Sequence, residues 1–296
     1  MIICGYRSGE RIGAAIDSLR RQNIGQPFEV IAVISADKAC ERYLSTHHPD
    51  VRVLGFVERV PPGRARNLGI EASRGPFVAF IPDDGIAAPE WLRERAILHE
   101  AGANLVAGAI ANGTPRSLIG TACYYVEYTA SMPIIEVLRR QPIPHTLSYS
   151  RTIFDRVGFF PEPTTPGEDT VFNRRCLEAG LEVAFAPRAA IAHVNLTRFG
   201  DYLEHQRQHG RGLMDRILEN QLEGPFALDG GLIRREISFI SYPLRRWRST
   251  WRLIRIAGGA HAARFLICTP LVIAGYLSGV LGSWEALRGA PPPDVQ

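Results

Sequence analysis

Two pairs of adjacent carboxylates, Asp83-Asp84 and Glu168-Asp169, stand out among the 296 residues as side chains whose type and placing suit chemistry. The first pair follows an apolar run, Phe77-Val78-Ala79-Phe80-Ile81, and precedes Gly85, so it falls where a buried strand meets a loop. Adjacent carboxylates repel unless something positive lies beside them, and a divalent cation bridging a pyrophosphate is the usual solution. Such a cation would neutralise charge building on a departing nucleoside diphosphate. Asp-Asp-Gly is also a common turn, and on these residues alone the turn reading stands beside the metal reading. Glu168-Asp169 opens a stretch whose apolar face is Val171, Phe172, Cys176 and Leu177. A carboxylate at a helix N-terminus stays ionised, which suits proton transfer; a plain helix cap is the alternative.

The elements that must position these groups follow a βαβ pattern, predicting an α/β fold with a Rossmann-like, mostly parallel sheet flanked by helices. Strands are expected at Met1 to Tyr6, Phe28 to Ser35, Val51 to Phe56 and Phe77 to Ile81, the last of them central in the sheet. Helices are expected at Gly9 to Gln22, from Pro61-Pro62 to Gly75, and from Pro89-Glu90-Trp91-Leu92 onward, with prolines at their first turns. Further along, a helix is read near Leu118 to Thr129, an irregular segment around Pro142-Ile143-Pro144, a strand at Thr146 to Ser150 and a short helix at Arg151 to Val157. The loop Pro161 to Gly167 then feeds the Glu168-Asp169 helix, which Gly180 ends, and two strands are read at Leu181 to Ala186 and Ala189 to Val194. In open α/β sheets ligands bind outside the carboxyl ends of strands, which is where Asp83-Asp84 stands.

Composition narrows the classes. A formal net charge of +4 lacks the uniform basicity of a nucleic-acid binder, so no nucleic-acid partner is expected. Five scattered cysteines without C-x-x-C spacing argue against a disulfide framework and a cysteine zinc site, and fit a reducing cytosol. The opening Met1-Ile2-Ile3-Cys4 reads as a strand rather than a leader, so the catalytic part is expected to stay cytosolic. After about residue 222 the character changes: Arg234 to Arg264 carries eight arginines against the single acid Glu236, interleaved with Phe239, Tyr242, Trp247 and Trp251. That pattern is expected of an amphipathic helix on an anionic membrane surface. Phe265 to Trp284 holds no charged residue and reaches about 30 Å as a helix, enough to span a bilayer; a buried core helix or a dimer interface is the alternative. The expected organisation is therefore a catalytic domain over 1–222 and membrane-associating helices over 223–296, with a disordered tail at Pro291-Pro292-Pro293.

Order and spacing of several motifs carry a resemblance. Ala65-Arg66-Asn67-Leu68-Gly69, then Pro82-Asp83-Asp84, then Pro89-Glu90-Trp91-Leu92 resemble the A-R-N-x-G helix, the D-x-D motif and the P-x-W-L helix start of the family-two glycosyltransferases, which have the GT-A fold. Downstream, Tyr149 to Phe160 and Gly167-Glu168-Asp169-Thr170 resemble that family's Y-R-R-x-x-F-x-x-V-G-x-F segment and its E-D pair. The resemblance, over roughly residues 1 to 215, implies a membrane-associated bacterial type of enzyme that moves a sugar from a nucleotide-diphosphate sugar with inversion. It implies Asp169 as general base with Glu168 orienting the acceptor, and Asp84 with His193 as ligands of Mn2+ or Mg2+. A histidine at a strand end is otherwise a structural residue. Donor contacts are implied for Tyr6, Ser35, Arg66, Asn67, Asp83 and Arg211, the last with a solvated-helix alternative.

This sequence departs from the family pattern in three places. Ile34-Ser35-Ala36-Asp37 replaces the usual base-reading acidic segment, Pro82 replaces the first aspartate of D-x-D, and Gly212 stands where Gln208-His209-Gly210-Arg211 would lead to the tryptophan of processive synthases. The last departure favours one sugar added per encounter. The expectation is a single-sugar transferase acting on a lipid-linked or membrane-proximal acceptor in cell-envelope polysaccharide or glycolipid synthesis. It would work at the cytoplasmic face of the membrane, as a peripheral or single-span protein. A catalytically silent GT-A-like binding protein of a membrane complex is the alternative, and a nucleotidyltransferase a third reading, poorly served by Gly5-Tyr6-Arg7-Ser8-Gly9 as a phosphate loop.

Overall fold

The structure, a computed structural model, describes residues 1–133, 146–162, 167–219, 221–226, 228 and 232–289. Its strands are β1 (Ile2–Tyr6), β2 (Ile31–Ser35), β3 (Arg52–Phe56), β4 (Phe77–Ala79), β5 (Gly85–Ala87), β6 (Leu105–Asn112), β7 (Leu147–Ser150) and β8 (Val183–His193). Its helices are α1 (Ile12–Arg20), α2 (Lys38–His47), α3 (Pro62–Ala72), α4 (Trp91–Glu100), α5 (Leu118–Tyr128), α6 (Thr152–Val157), α7 (Glu168–Glu178), α8 (Phe199–Leu218), α9 (Leu232–Ala257) and α10 (Gly259–Leu287). The chain divides into two compact units, one built from all the strands with α1–α4, α6 and α7, the other from α5, α8, α9 and α10. Pro142 to Pro144, the tail prolines and part of the loop after Pro161 lie outside the described residues.

In the first unit β1, β2 and β3 pair in parallel, and β4, β7, β6, β8 and β5 form a second sheet in that order. A parallel bridge between Ile2 and Phe80, with Ile81 N donating to Ile2 O at 3.2 Å, sets β1 beside β4. The expected strand Phe77 to Ile81 is thus flanked on both sides, by β1 and by antiparallel β7. Because β1 leads to β2 on one side and its other neighbour is β4, the chain reverses direction across the sheet here, and the carboxyl ends of β1 and β4 open side by side.

Two expected strands, Leu181 to Ala186 and Ala189 to Val194, are one strand interrupted by a register break opposite Gly108. A Cβ on Gly108 would collide with the Ala189 carbonyl, so glycine admits the bulge. The break lets β8 end with His193 paired to both Gly85 and Asn112. Beneath the sheet lies an aromatic core in which Phe160 stacks on Phe172 at 4.2 Å and Tyr149 packs edge-on to both. Each such ring contributes about 1.5–3 kcal/mol by burial.

In the second unit α10 lies along α8 at close range. Side chains added at Gly275, Gly210 or Gly282 would collide with Tyr202, the Gly279 carbonyl or the Arg207 carbonyl respectively. Ser278 and Ser283 donate to Leu203 O and Gly210 O at 2.7 and 2.8 Å, and Arg207 clasps Glu285 through two bonds of 2.8 and 2.6 Å. The arginine-rich stretch expected as one helix to Arg264 ends earlier, at Ala257, because Gly258 takes φ +103° and restarts the chain as α10. Along α9 the exposed residues Ile237, Ile240 and Leu244, then Arg248, Arg252 and Arg255, recur at helical spacing on one face.

Candidate active site

The loops after β1 and β4, the end of β8, helix α3 and the first turn of α7 bring the chemistry to the carboxyl edge of β1 and β4. Asp83 receives the Ser8 hydroxyl and the Arg11 guanidinium, whose Nη2 lies 2.9 Å from Oδ2. Its charge is therefore met by the protein itself. Asp84 is placed differently. Val194 N donates to its carbonyl at 2.9 Å, and the β5–β8 register brings His193 Nε2 to 3.2 Å from its Oδ1. That oxygen is buried and, among the described residues, makes no hydrogen bond. Burial pushes the Asp84 carboxyl above its ordinary range, the neighbouring Asp83 adds to the rise, and His193 opposes it.

A buried, under-satisfied carboxylate oxygen beside an imidazole nitrogen fits a hard or borderline divalent cation. Donors on neighbouring corners of an octahedral ion with bonds of roughly 2.1 Å stand about 3 Å apart. The observed 3.2 Å matches that spacing, and a cation there would also lower the raised Asp84 carboxyl.

The second carboxylate pair arrives on α7. Glu168 is buried and accepts from Arg66 Nε at 3.0 Å, while the guanidinium lies over Phe80 and Phe160 at 5.2 and 5.4 Å. Burial would lower the Arg66 pKa, but the nearby Glu168 and Asp169 carboxylates outweigh it and hold the guanidinium above its usual value. Asp169 is the more exposed of the pair, and its Oδ1 accepts from Thr170 N at 2.7 Å. Asn67 is buried, and its amide is spent on Phe160 and Glu162: Nδ2 donates to Phe160 O at 2.9 Å and Oδ1 accepts from Phe160 N at 3.0 Å. It holds the segment that precedes α7. Gly63 admits the same segment at close range, since a Cβ there would strike the Pro161 carbonyl.

Tyr6 ends β1 between two arginines, with Arg7 and Arg59 over its ring at 5.5 and 5.0 Å. Ser35 ends β2 in register with Tyr6 and is buried. Arg7 and Ala36, which follow those two strands, both take left-handed backbone with φ near +50° and +55°, a strained choice for residues other than glycine. Asp37 caps α2 through Cys40 N and also accepts from Gly9 N at 2.8 Å, so it ties the two turns together. Burial pushes the Cys4 thiol up to about 12, which makes it a protonated core residue rather than a nucleophile. Arg211 lies in the second unit, where its Nη2 stands 3.4 Å from Glu285 Oε2. Ser8, Arg11 and Asp37 are not expected from the motifs, although serine in the turn after a strand and aspartate before an amphipathic helix are signals of that kind.

The sequence description of Glycosyl transferase family 2 matches residues 1–150. The chain belongs to the family-two glycosyltransferases. This glycosyltransferase is 27% identical to the glycosyltransferase AglE of Haloferax volcanii, over 96% of its own length and 97% of that protein. It is 28% identical to the succinoglycan biosynthesis protein ExoO of Rhizobium meliloti, over 99% and 83% of the two chains. Its fold is that of the mannosyltransferase PcManGT from Pyrobaculum calidifontis, solved in complex with GDP-Man and Mn2+, with a TM-score of 0.61 at 16% identity over 98% and 87% of the chains. The S. aureus TarS 1–349 structure with UDP-GlcNAc shares the fold at a TM-score of 0.53 and 16% identity, over 97% of this chain and 91% of that one. The transferase therefore has the GT-A fold, and the α/β expectation holds.

Proposed function

We propose that this glycosyltransferase moves one sugar from a nucleotide-diphosphate sugar to a lipid-linked or membrane-proximal acceptor, with inversion, at the cytoplasmic face of a membrane. The observation that carries the reading is the contrast between the two aspartates: Asp83 is neutralised by Arg11, whereas Asp84 keeps a buried oxygen for a ligand beside His193. The donor lies across the carboxyl ends of β1 and β4, with the arginines around Tyr6 facing its diphosphate. Mn2+ or Mg2+ held by Asp84 and His193 would neutralise charge on the departing nucleoside diphosphate. Asp169 takes the proton of the acceptor hydroxyl as that oxygen attacks the anomeric carbon and the carbon–oxygen bond to the diphosphate breaks on the opposite face. Glu168, held by Arg66, fixes the first turn of α7 and so the position of Asp169.

The membrane part of the proposal rests on α9, whose exposed face runs from isoleucines and leucine to arginines, a sequence suited to an anionic lipid surface. α10 is long and apolar enough to cross a bilayer, yet it packs along α8, which carries Glu204, His205, Arg207 and Gln208. Spanning would drag that charged helix into hydrocarbon, so the peripheral arrangement is favoured. Donor choice tests the reading: uridine, guanosine and thymidine diphosphate sugars are offered with and without manganese to the wild type and to Asp84→Asn. Metal-dependent hydrolysis or transfer with one donor, lost in the variant, is expected; equal turnover without metal would overturn the metal assignment.

A further inference from the structure

The second unit assembles three metal-ligating side chains of its own. Glu127 on α5 and His205 and His209 on α8 each place one donor atom within 4.8 Å of the other two. The histidines are one turn apart on one face of α8, and their ring centroids are 4.2 Å apart. His205 Nε2 stands 3.0 Å from Oε1 of Glu127, a carboxylate only 8% exposed. The Gln206 amide donates to the same oxygen at 2.5 Å and the Cys123 thiol lies 3.5 Å from it. A carboxylate oriented by a neighbouring amide is the arrangement that outer-shell groups give to metal ligands.

We propose that Glu127, His205 and His209 form a further metal site, made of residues other than Asp84 and His193, and that it takes zinc or a similar late divalent transition metal. Two imidazoles at i and i+4 with one carboxylate from a second helix are a donor set that suits zinc and leaves a fourth position for water. Imidazole nitrogens select such metals over magnesium and calcium, which prefer an all-oxygen shell. Donors on a tetrahedral zinc lie about 3.4 Å apart for bonds of roughly 2.1 Å, so the three groups close on an ion by side-chain rotation alone. The ion would cross-link α5 to α8.

Zinc binding to the full-length Asp84→Asn protein, stripped with chelator and titrated in competition with a chromogenic chelator, tests the site with the other candidate ligand pair already broken. One bound equivalent is expected, weakened more than about 10-fold when His205→Gln and His209→Gln are added. Unchanged affinity in that triple variant overturns the proposal. X-ray absorption at the zinc edge of the Asp84→Asn protein carrying one equivalent needs no histidine variant. Two imidazoles in the first shell are expected, and fewer than two overturn the assignment. Neither readout depends on glycosyl transfer, so this inference and the proposed function can fail separately.

Discussion

Arg66 Nε meets Glu168 Oε1 at 3.0 Å, and this one contact ties α3, the helix before the Asp83-Asp84 strand, to the first turn of α7, where Asp169 stands. Both partners are largely buried, and the guanidinium is sandwiched toward Phe80 and Phe160. Glu168 is thereby committed to the protein, while Asp169 is the more exposed of the two.

Breaking that pair should cost stability. Glu168→Ala takes the hydrogen-bonded partner from a largely buried guanidinium, a change that typically costs about 3–5 kcal/mol. Urea unfolding is expected to show a loss near the lower end of that range, and Glu168→Gln a smaller one because a hydrogen bond survives. A loss under about 1 kcal/mol for the alanine variant would show that the pair is not a structural tie.

His193→Ala tests the proposed metal pair from the other side. Removing one ligand should raise the manganese concentration needed for half-maximal activity by more than about 10-fold, with the maximal rate recovered in part at high metal. The same metal titration in both proteins would place the ion elsewhere.

A pH effect on stability follows from His99. Its Nδ1 faces Ala103 O at 2.8 Å and its Nε2 faces Ser148 Oγ at 2.8 Å, beside the buried Arg95. Burial, with Arg95 adding to it, lowers its pKa from 6.5 to about 4, so the folded protein holds it neutral. Above pH 6.5 its contribution is complete; as pH falls toward 4 the unfolded chain takes up a proton that the folded one refuses, and stability declines. The gap corresponds to about 3 kcal/mol. Denaturant midpoints from pH 7 to 4.5 should fall less steeply in a folded His99→Gln variant than in the wild type, and parallel slopes would contradict this source.

Membrane contact through α9 is checked with vesicles. Replacing Arg248, Arg252 and Arg255 by glutamine removes three exposed charges from one face and should weaken binding to anionic vesicles by roughly 100-fold, with the residual binding less sensitive to salt. Equal binding by wild type and variant would move the contact to another surface.

Much of this was legible in the sequence because the informative segments are locally consistent. Pro61-Pro62 starts α3, Gly180 ends the turn after α7, and the apolar run from Phe77 marks a buried strand, so the acids that follow fall in the loop at its end. Other elements were hidden. β6, Leu105–Asn112, is rich in glycine and alanine and shows no alternation, because it is buried for most of its length between β7 and β8. α2 buries only Cys40 and Leu44, too narrow an apolar face to stand out, although Asp37 marked its cap. Which groups answer each acid was not readable either: Arg11 meets Asp83 across 72 residues of chain and Arg66 meets Glu168 across 102, distances that only the fold closes.

The central claim is that Asp169 deprotonates the acceptor at a site where donor binding is the work of other residues. The direct measurement compares Asp169→Asn with the wild type for glycosyl transfer and, on the same samples, for donor binding by calorimetry. Transfer lowered by about 100-fold or more with donor affinity unchanged is the expected result. Undiminished transfer by the Asp169→Asn protein would contradict the account.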